Sequence, residues 1–134
     1  MRVEELMHAR PITVSEDDSL GLAFQLMRWK GIRHLPVLRG DRVVGVLTET
    51  DLARCIGPGA VLSLEGRVRD RMSTDVQTVG PHASLADVAA VLVTNRIGCV
   101  PVVDAAMRPL AIVTDTDILS YVAQCSVDAR ASSF

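Results

Sequence analysis

The sequence predicts an α+β fold built from two copies of one βαββα unit, and three observations carry that prediction. First, the chain repeats itself. Shifted by 65 residues, "ELM" at 5–7 meets "DRM" at 70–72, "ITV" at 12–14 meets "QTV" at 77–79, and "LPVL" at 35–38 meets "VPVV" at 100–103. After one inserted residue the offset is 66, and "VLTETDL" at 46–52 meets "IVTDTDI" at 112–118. Second, each copy shows the same order of local signals, short apolar runs alternating with stretches of helical period. Third, a unit of about 60 residues with this much apolar surface is marginal by itself, so two copies should pack against each other.

In the first copy a short strand falls near 12–14, followed by a helix over 19–30. Leu20, Ala23, Phe24 and Met27 recur at helical spacing and make one apolar face. Two strands near 34–38 and 43–47 flank "RGDR", which reads as a hairpin turn, and a second helix follows over 49–56. The strand "VVGVL" is apolar on both faces, so both faces should be covered. The second copy places the same elements near 77–79, 84–95, 99–103, 109–113 and 115–124. Its first helix has Leu85, Val88, Ala89 and Leu92 on one face, and Ser84 with Asp87 three residues on resembles a capping box. "DAAMRP" at 104–109 reads as its hairpin turn, where the inserted residue costs little.

These signals divide the chain into a first repeat over 1–59, a connector over 60–66, a second repeat over 67–124 and a tail over 125–134. The stretch "GPGAVLSLEG" at 57–66 carries the glycines and proline of a linker. "SVDARASSF" lacks periodicity, so the tail is expected to fray.

Composition narrows the function classes. Of 134 residues 49% are apolar and 22% charged, the balance of a folded globular protein. A net charge of −2 argues against capture of nucleic acid or of an anionic membrane by charge. No run of 18 apolar residues occurs, and "MRVEELMHAR" places charges where a signal peptide needs an apolar stretch, so a cytoplasmic protein is expected. Cys55, Cys99 and Cys125 are odd in number and set among apolar neighbours, which suits reduced core thiols. Neither they nor His8, His34 and His82 have metal-ligand spacing. No nucleophile elbow, P-loop or supported Cys-His or Ser-His constellation is present, so no catalysis, catalytic cofactor or metal is expected.

The order of these motifs resembles that of a tandem pair of CBS domains, the arrangement called a Bateman module. The resemblance covers residues 3–123 and rests on the "LPV" and "VPV" strands, the helix before each, and an apolar strand running into Thr-x-Thr-Asp, all occurring twice. It implies βαββα repeats packed with pseudo-twofold symmetry through their sheets, two clefts between copies, and association into a homodimer. It also implies a regulatory sensor of an adenosine-containing ligand, AMP, ADP, ATP or S-adenosylmethionine, acting on a protein target that the sequence does not identify. Carried over residue by residue, one site would join Ile112, Thr114, Thr116 and Asp117 to Met7, Arg10, Ile12, Ile32 and Arg33. The other would join Val46, Thr48, Thr50 and Asp51 to Met72, Asp75, Gln77, Ile97 and Gly98. Ala111 stands where the first copy has Gly45, a departure from the pattern in which a small residue still permits close approach.

The repeated phrase has two readings. Thr48 with Asp51, and Thr114 with Asp117, have the spacing of an N-cap and its third helical residue, which alone justifies them. A carboxylate at a helix start also has the acceptors to hold a ribose diol, while it would repel a phosphate; the threonine hydroxyls could bridge ribose or the first phosphate. On this second reading Arg10, Arg33 and His34, which line up with Asp75, Gly98 and Cys99, make the site completed by Asp117 the stronger phosphate binder. The chain has only four aromatic residues, Phe24, Trp29, Tyr121 and Phe134, so a base would be held by aliphatic side chains such as Ile12, Ile32 and Ile112. The competing function is a ligand-free interaction or dimerisation module that works through apolar helix residues such as Met27, Trp29, Leu52 and Ile56.

Overall fold

The computed structural model describes residues 2–6, 10–57 and 64–132, with residues 126–132 described as backbone alone. Met7 and most of the expected connector lie outside the described residues. The first unit runs β1 (Val14–Ser15), α1 (Leu20–Lys30), β2 (His34–Arg39), β3 (Arg42–Thr48) and α2 (Glu49–Ala53). The second runs α3 (Leu85–Asn95), β4 (Cys99–Val103), β5 (Pro109–Thr114) and α4 (Asp115–Ser132).

Helix α1 begins where Ser19 Oγ accepts from the Leu22 N–H at 3.1 Å and ends at Gly31, whose φ of 63° suits the left-handed turn. Its Leu20, Ala23 and Met27 are buried against the sheet, with Phe24 half-buried beside them. Helix α3 begins the same way, Ser84 Oγ accepting from the Asp87 N–H at 3.0 Å, and buries Leu85, Val88 and Leu92.

In the first unit β2 lies between β1, parallel to it, and β3, antiparallel to it, with Leu35 opposite Leu47 and Val37 opposite Gly45. In the second, β4 and β5 are antiparallel, with Val102 opposite Ala111. Both hairpins carry a register shift at matching places, so the repeat extends to the irregularity.

The strand expected near 12–14 is displaced to Val14–Ser15, and three further boundaries differ from the sequence expectation. The strand expected at 77–79 shrinks to Val79, which donates to Pro101 O (3.1 Å) and accepts from the Val103 N–H (2.9 Å); Pro81, two residues on, has no N–H to extend the ladder. Helix α2 stops at Ala53, because the N–H groups of Cys55 and Ile56 bond to Leu52 and Ala53, three residues back, and tighten the end into a turn. Helix α4 continues to Ser132 rather than ending at 124 before a frayed tail; no glycine or proline interrupts 115–132.

Each unit completes the other's core. Val3, at the start of a short 3-10 turn (Val3–Leu6), is fully buried with Val88, Val100 and Val113 of the second unit. Val68, at the start of the matching turn (Val68–Asp70), is fully buried with Leu20, Leu35 and Leu47 of the first. The backbone bonds Val3 N to Ala83 O (2.8 Å) and Val68 N to Asp18 O (2.8 Å) repeat at the same offset. A short unit with a small interior thereby gains apolar contacts that its own half cannot supply.

The cysteines and the helix faces divide differently from expectation. Cys55 and Cys99 are buried free thiols, as expected, but Cys125 is exposed, since α4 projects it from the outer side of the helix. Met27 and Leu52, candidates for partner contact, are turned into the first core, while Trp29 and Ile56 are exposed. Val93 on α3 and Leu119 on α4 are exposed as well.

Candidate ligand-binding site

Both copies of the repeated phrase form capping boxes. The Thr48 N–H donates to Asp51 Oδ2 at 2.8 Å, and the Asp51 N–H donates to Thr48 Oγ1 at 3.2 Å. The Thr114 N–H donates to Asp117 Oδ2 at 2.8 Å, and the Asp117 N–H to Thr114 Oγ1 at 3.2 Å. Capping therefore accounts for the spacing of both motifs, and it uses one oxygen of each carboxylate. What separates the copies is exposure: Asp51 is only 9% exposed, whereas Asp117 stands open to solvent.

Asp117 opens onto a cavity of about 760 Å³ between the two units. Ile112, Thr114 and Thr116 line it with Asp117 from β5 and α4; Arg10, Ile12, Ile32 and Arg33 line it from the first unit. The structure thus brings together every described member of the first predicted site. Thr48 and Thr50, expected at a second cleft, line this same cavity. Pro11, Gly31, Glu49 and Asp115, which sequence reasoning did not assign to a site, complete the wall with His34.

The other predicted residues do not line this cavity. Val46 is buried and exchanges backbone bonds with Ser73 in both directions, at 3.1 and 2.9 Å. Met72 packs against the first core, and a Cβ added at Gly45 would lie 2.7 Å from its Sδ. Ile97 packs against the second core, and a Cβ added at Gly98 would lie 3.2 Å from His34 Nε2. Asp75 is exposed and Gln77 half-buried, away from the cavity lining.

Within each unit the backbone ties the helix start to the neighbouring strand. The Glu49 N–H donates to Arg33 O at 2.9 Å, and its counterpart, the Asp115 N–H, donates to Gly98 O at 3.0 Å. Each helix start is thus tied to the residue just before β2 or β4. Arg10 and Arg33 line the cavity together with the carboxylates Glu49, Asp115 and Asp117. Arg33 Nε stands 3.6 Å from Glu49 Oε2, a loose pair between exposed side chains that leaves the guanidinium donors open to an anion. Thr116 is bonded through its N–H to Asp115 Oδ1 at 2.7 Å.

His34 sits on this wall, and burial pulls its imidazole below the ordinary value of 6.5; Arg33 adds to the shift, while Asp115, Glu49 and Asp117 oppose it. Folding therefore favours the neutral ring. Its contribution to stability is complete above pH 6.5 and is lost as pH falls through the lowered native value, because the unfolded chain binds the proton more readily. Denaturation midpoints measured between pH 5 and 8 should show this acid decline, and His34→Gln should flatten it. The same decline in His34→Gln would assign it to other groups. Burial, followed by Asp115 and Asp51, pushes the Cys99 thiol up to about 12, so it stays protonated at neutral pH and is no nucleophile. Among the described residues no three metal-ligating side chains gather, and no helix is long and apolar enough to cross a membrane.

Comparison with known proteins agrees with this architecture. The sequence profile of the CBS domain matches residues 3–57 and again 68–124. The chain is similar to MJ1225 of Methanocaldococcus jannaschii, with 36% identity over 103 residues, covering 69% of this chain and 37% of that protein. It is similar to inosine-5'-monophosphate dehydrogenase of Korarchaeum cryptofilum, with 33% identity over 117 residues, 87% of this chain and 23% of the enzyme. The chain thus spans well under half the length of these relatives. Among solved structures, the CBS domain pair of protein MJ0100 in complex with 5'-methylthioadenosine and S-adenosyl-L-methionine superposes with a TM-score of 0.83 at 26% identity, covering 92% of this chain and 97% of that one.

Proposed function

The chain belongs to the CBS domain family, as a tandem pair, and from that premise we propose that it is a regulatory module that binds an adenosine-containing ligand between its two units. The ligands to consider are AMP, ADP, ATP and S-adenosylmethionine. One observation carries the reading: an open cavity joins the exposed Asp117 and three aliphatic side chains, Ile12, Ile32 and Ile112, to the cations Arg10 and Arg33. A carboxylate with one oxygen outside its cap suits a ribose diol. The isoleucines suit a base held without stacking, and the arginines suit a phosphate. The MJ0100 pair, which carries methylthioadenosine and S-adenosylmethionine, supports an adenosine ligand for this architecture.

Because the cavity is lined from both units, a bound ligand would favour whichever relative arrangement closes on it, and that is how occupancy would be read by a partner. Exposed Trp29, Val93 and Leu119 support association of two chains through their helices. The two buried thiols support a reducing compartment, the cytoplasm.

The test is a thermal-shift titration of ligand-free protein with each of the four compounds. Ligand at a hundred times its Kd stabilises the fold by about 2.7 kcal/mol, a shift of several degrees in a domain of this size. No shift with any compound would leave the interaction module as the better reading.

A further inference from the structure

The sequence repeat implies two equivalent clefts, yet the folded chain is not symmetric at the places that would form them. Asp117 is exposed and Asp51 is 9% exposed. Ile112 is half-buried and lines the open cavity, while its counterpart Val46 is buried and bonded to Ser73 through two backbone bonds; residues 7 and 8, which correspond to 72 and 73, lie outside the described residues. Gly45 makes that engagement possible: a Cβ there would stand 2.7 Å from Met72 Sδ and 2.9 Å from Ser73 O, so an alanine like Ala111 could not accept residues 72–73 without a backbone shift. Meanwhile Glu49 and Thr50, from the first copy of the motif, line the cavity of Asp117, and both are exposed.

We infer that the chain holds one ligand, in a single composite site to which Thr50 contributes its hydroxyl, and that the mirrored cleft at Asp51 is shut. This rests on the proposed adenosine site and adds its stoichiometry and a binding residue from the opposite motif. Thr50 is exposed, on the unit opposite Asp117, and its hydroxyl can donate to or accept from a ligand whose ribose Asp117 holds. With Thr114 and Thr116 it surrounds the ligand with hydroxyls from both units. Arg33 belongs to the same wall, so a phosphate near Thr50 would also meet a guanidinium.

The experiment is equilibrium dialysis of the whole chain against AMP, ADP, ATP and S-adenosylmethionine in turn, repeated with Thr50→Val and with Asp51→Asn. The expected result is one molecule bound per chain, a loss of affinity of about three- to tenfold in Thr50→Val, and wild-type affinity and stoichiometry in Asp51→Asn. Two molecules per chain overturn the inference, as does a Thr50→Val protein that keeps full affinity or an Asp51→Asn protein that loses a site. Should Thr50→Val lose cooperativity of unfolding, Thr50→Ser, which keeps the hydroxyl, must bind as wild type. Binding of none of the four compounds removes the adenosine reading itself, and this inference with it.

Discussion

Leu47→Ala should lower the free energy of unfolding by about 2–5 kcal/mol, a large share of the 5–15 kcal/mol that holds a domain of this kind together. Leu47 is fully buried on β3, opposite Leu35, in the cluster that also holds Leu20, Val37 and Leu52. The same cluster contains Val68, which arrives from the second half of the chain. Removing three carbons there leaves a void that neither half can fill alone, so the cost should sit toward the upper part of that range. Urea denaturation followed by circular dichroism measures it. Because the cores are completed crosswise, the variant should still unfold in one transition, with both units lost together. Two separate transitions, or a loss below 1 kcal/mol, would show that the units are held independently.

The repeat made most of the architecture legible, because its signals are local. Helical spacing of Leu20, Ala23 and Met27, the serine at 84, and the Thr-x-Thr-Asp phrases each act within one turn of chain, and each appears where its chemistry puts it. What the sequence withheld is the relation between the halves. That Val3 serves the second core and Val68 the first depends on the path of the chain, which no local pattern encodes.

The candidate site shows the same division. Asp117 with Ile12, Ile32, Arg10 and Arg33 came together as a repeat facing its twin requires. The move of Thr48 and Thr50 to that cavity, and the burial of Asp51, were not legible, since a duplicated motif looks alike in both places. Gly45 carried a signal of close packing. The glycine marks where Met72 and Ser73 lie against β3, and Ala111 stands on the strand whose Ile112 faces the open cavity.

Asp117→Ala should abolish most ligand binding, and the reason can be separated from its effect on the helix start. Hydrogen bonds to a charged group contribute about 1.5–3 kcal/mol, so loss of the carboxylate from a ribose should weaken affinity by roughly ten- to a hundredfold or more. The ligand-induced rise in melting temperature at a fixed ligand concentration should then vanish. The same change deletes the acceptor that holds the Thr114 N–H at 2.8 Å, which should cost the free protein about 1 kcal/mol. Asp117→Asn divides the two effects. Its amide oxygen can still accept from Thr114, so the ligand-free protein should melt close to wild type. It has no second acceptor oxygen or charge to offer a diol, so binding should remain impaired. Asp51→Ala is the matched control: it loses the mirrored cap, with its 2.8 Å bond to the Thr48 N–H, in a carboxylate closed to ligand. It should therefore lose stability at least as Asp117→Ala does while keeping affinity. If Asp117→Asn binds as wild type does, or if Asp51→Ala and Asp117→Ala lose affinity alike, the exposed carboxylate is a helix cap and nothing more.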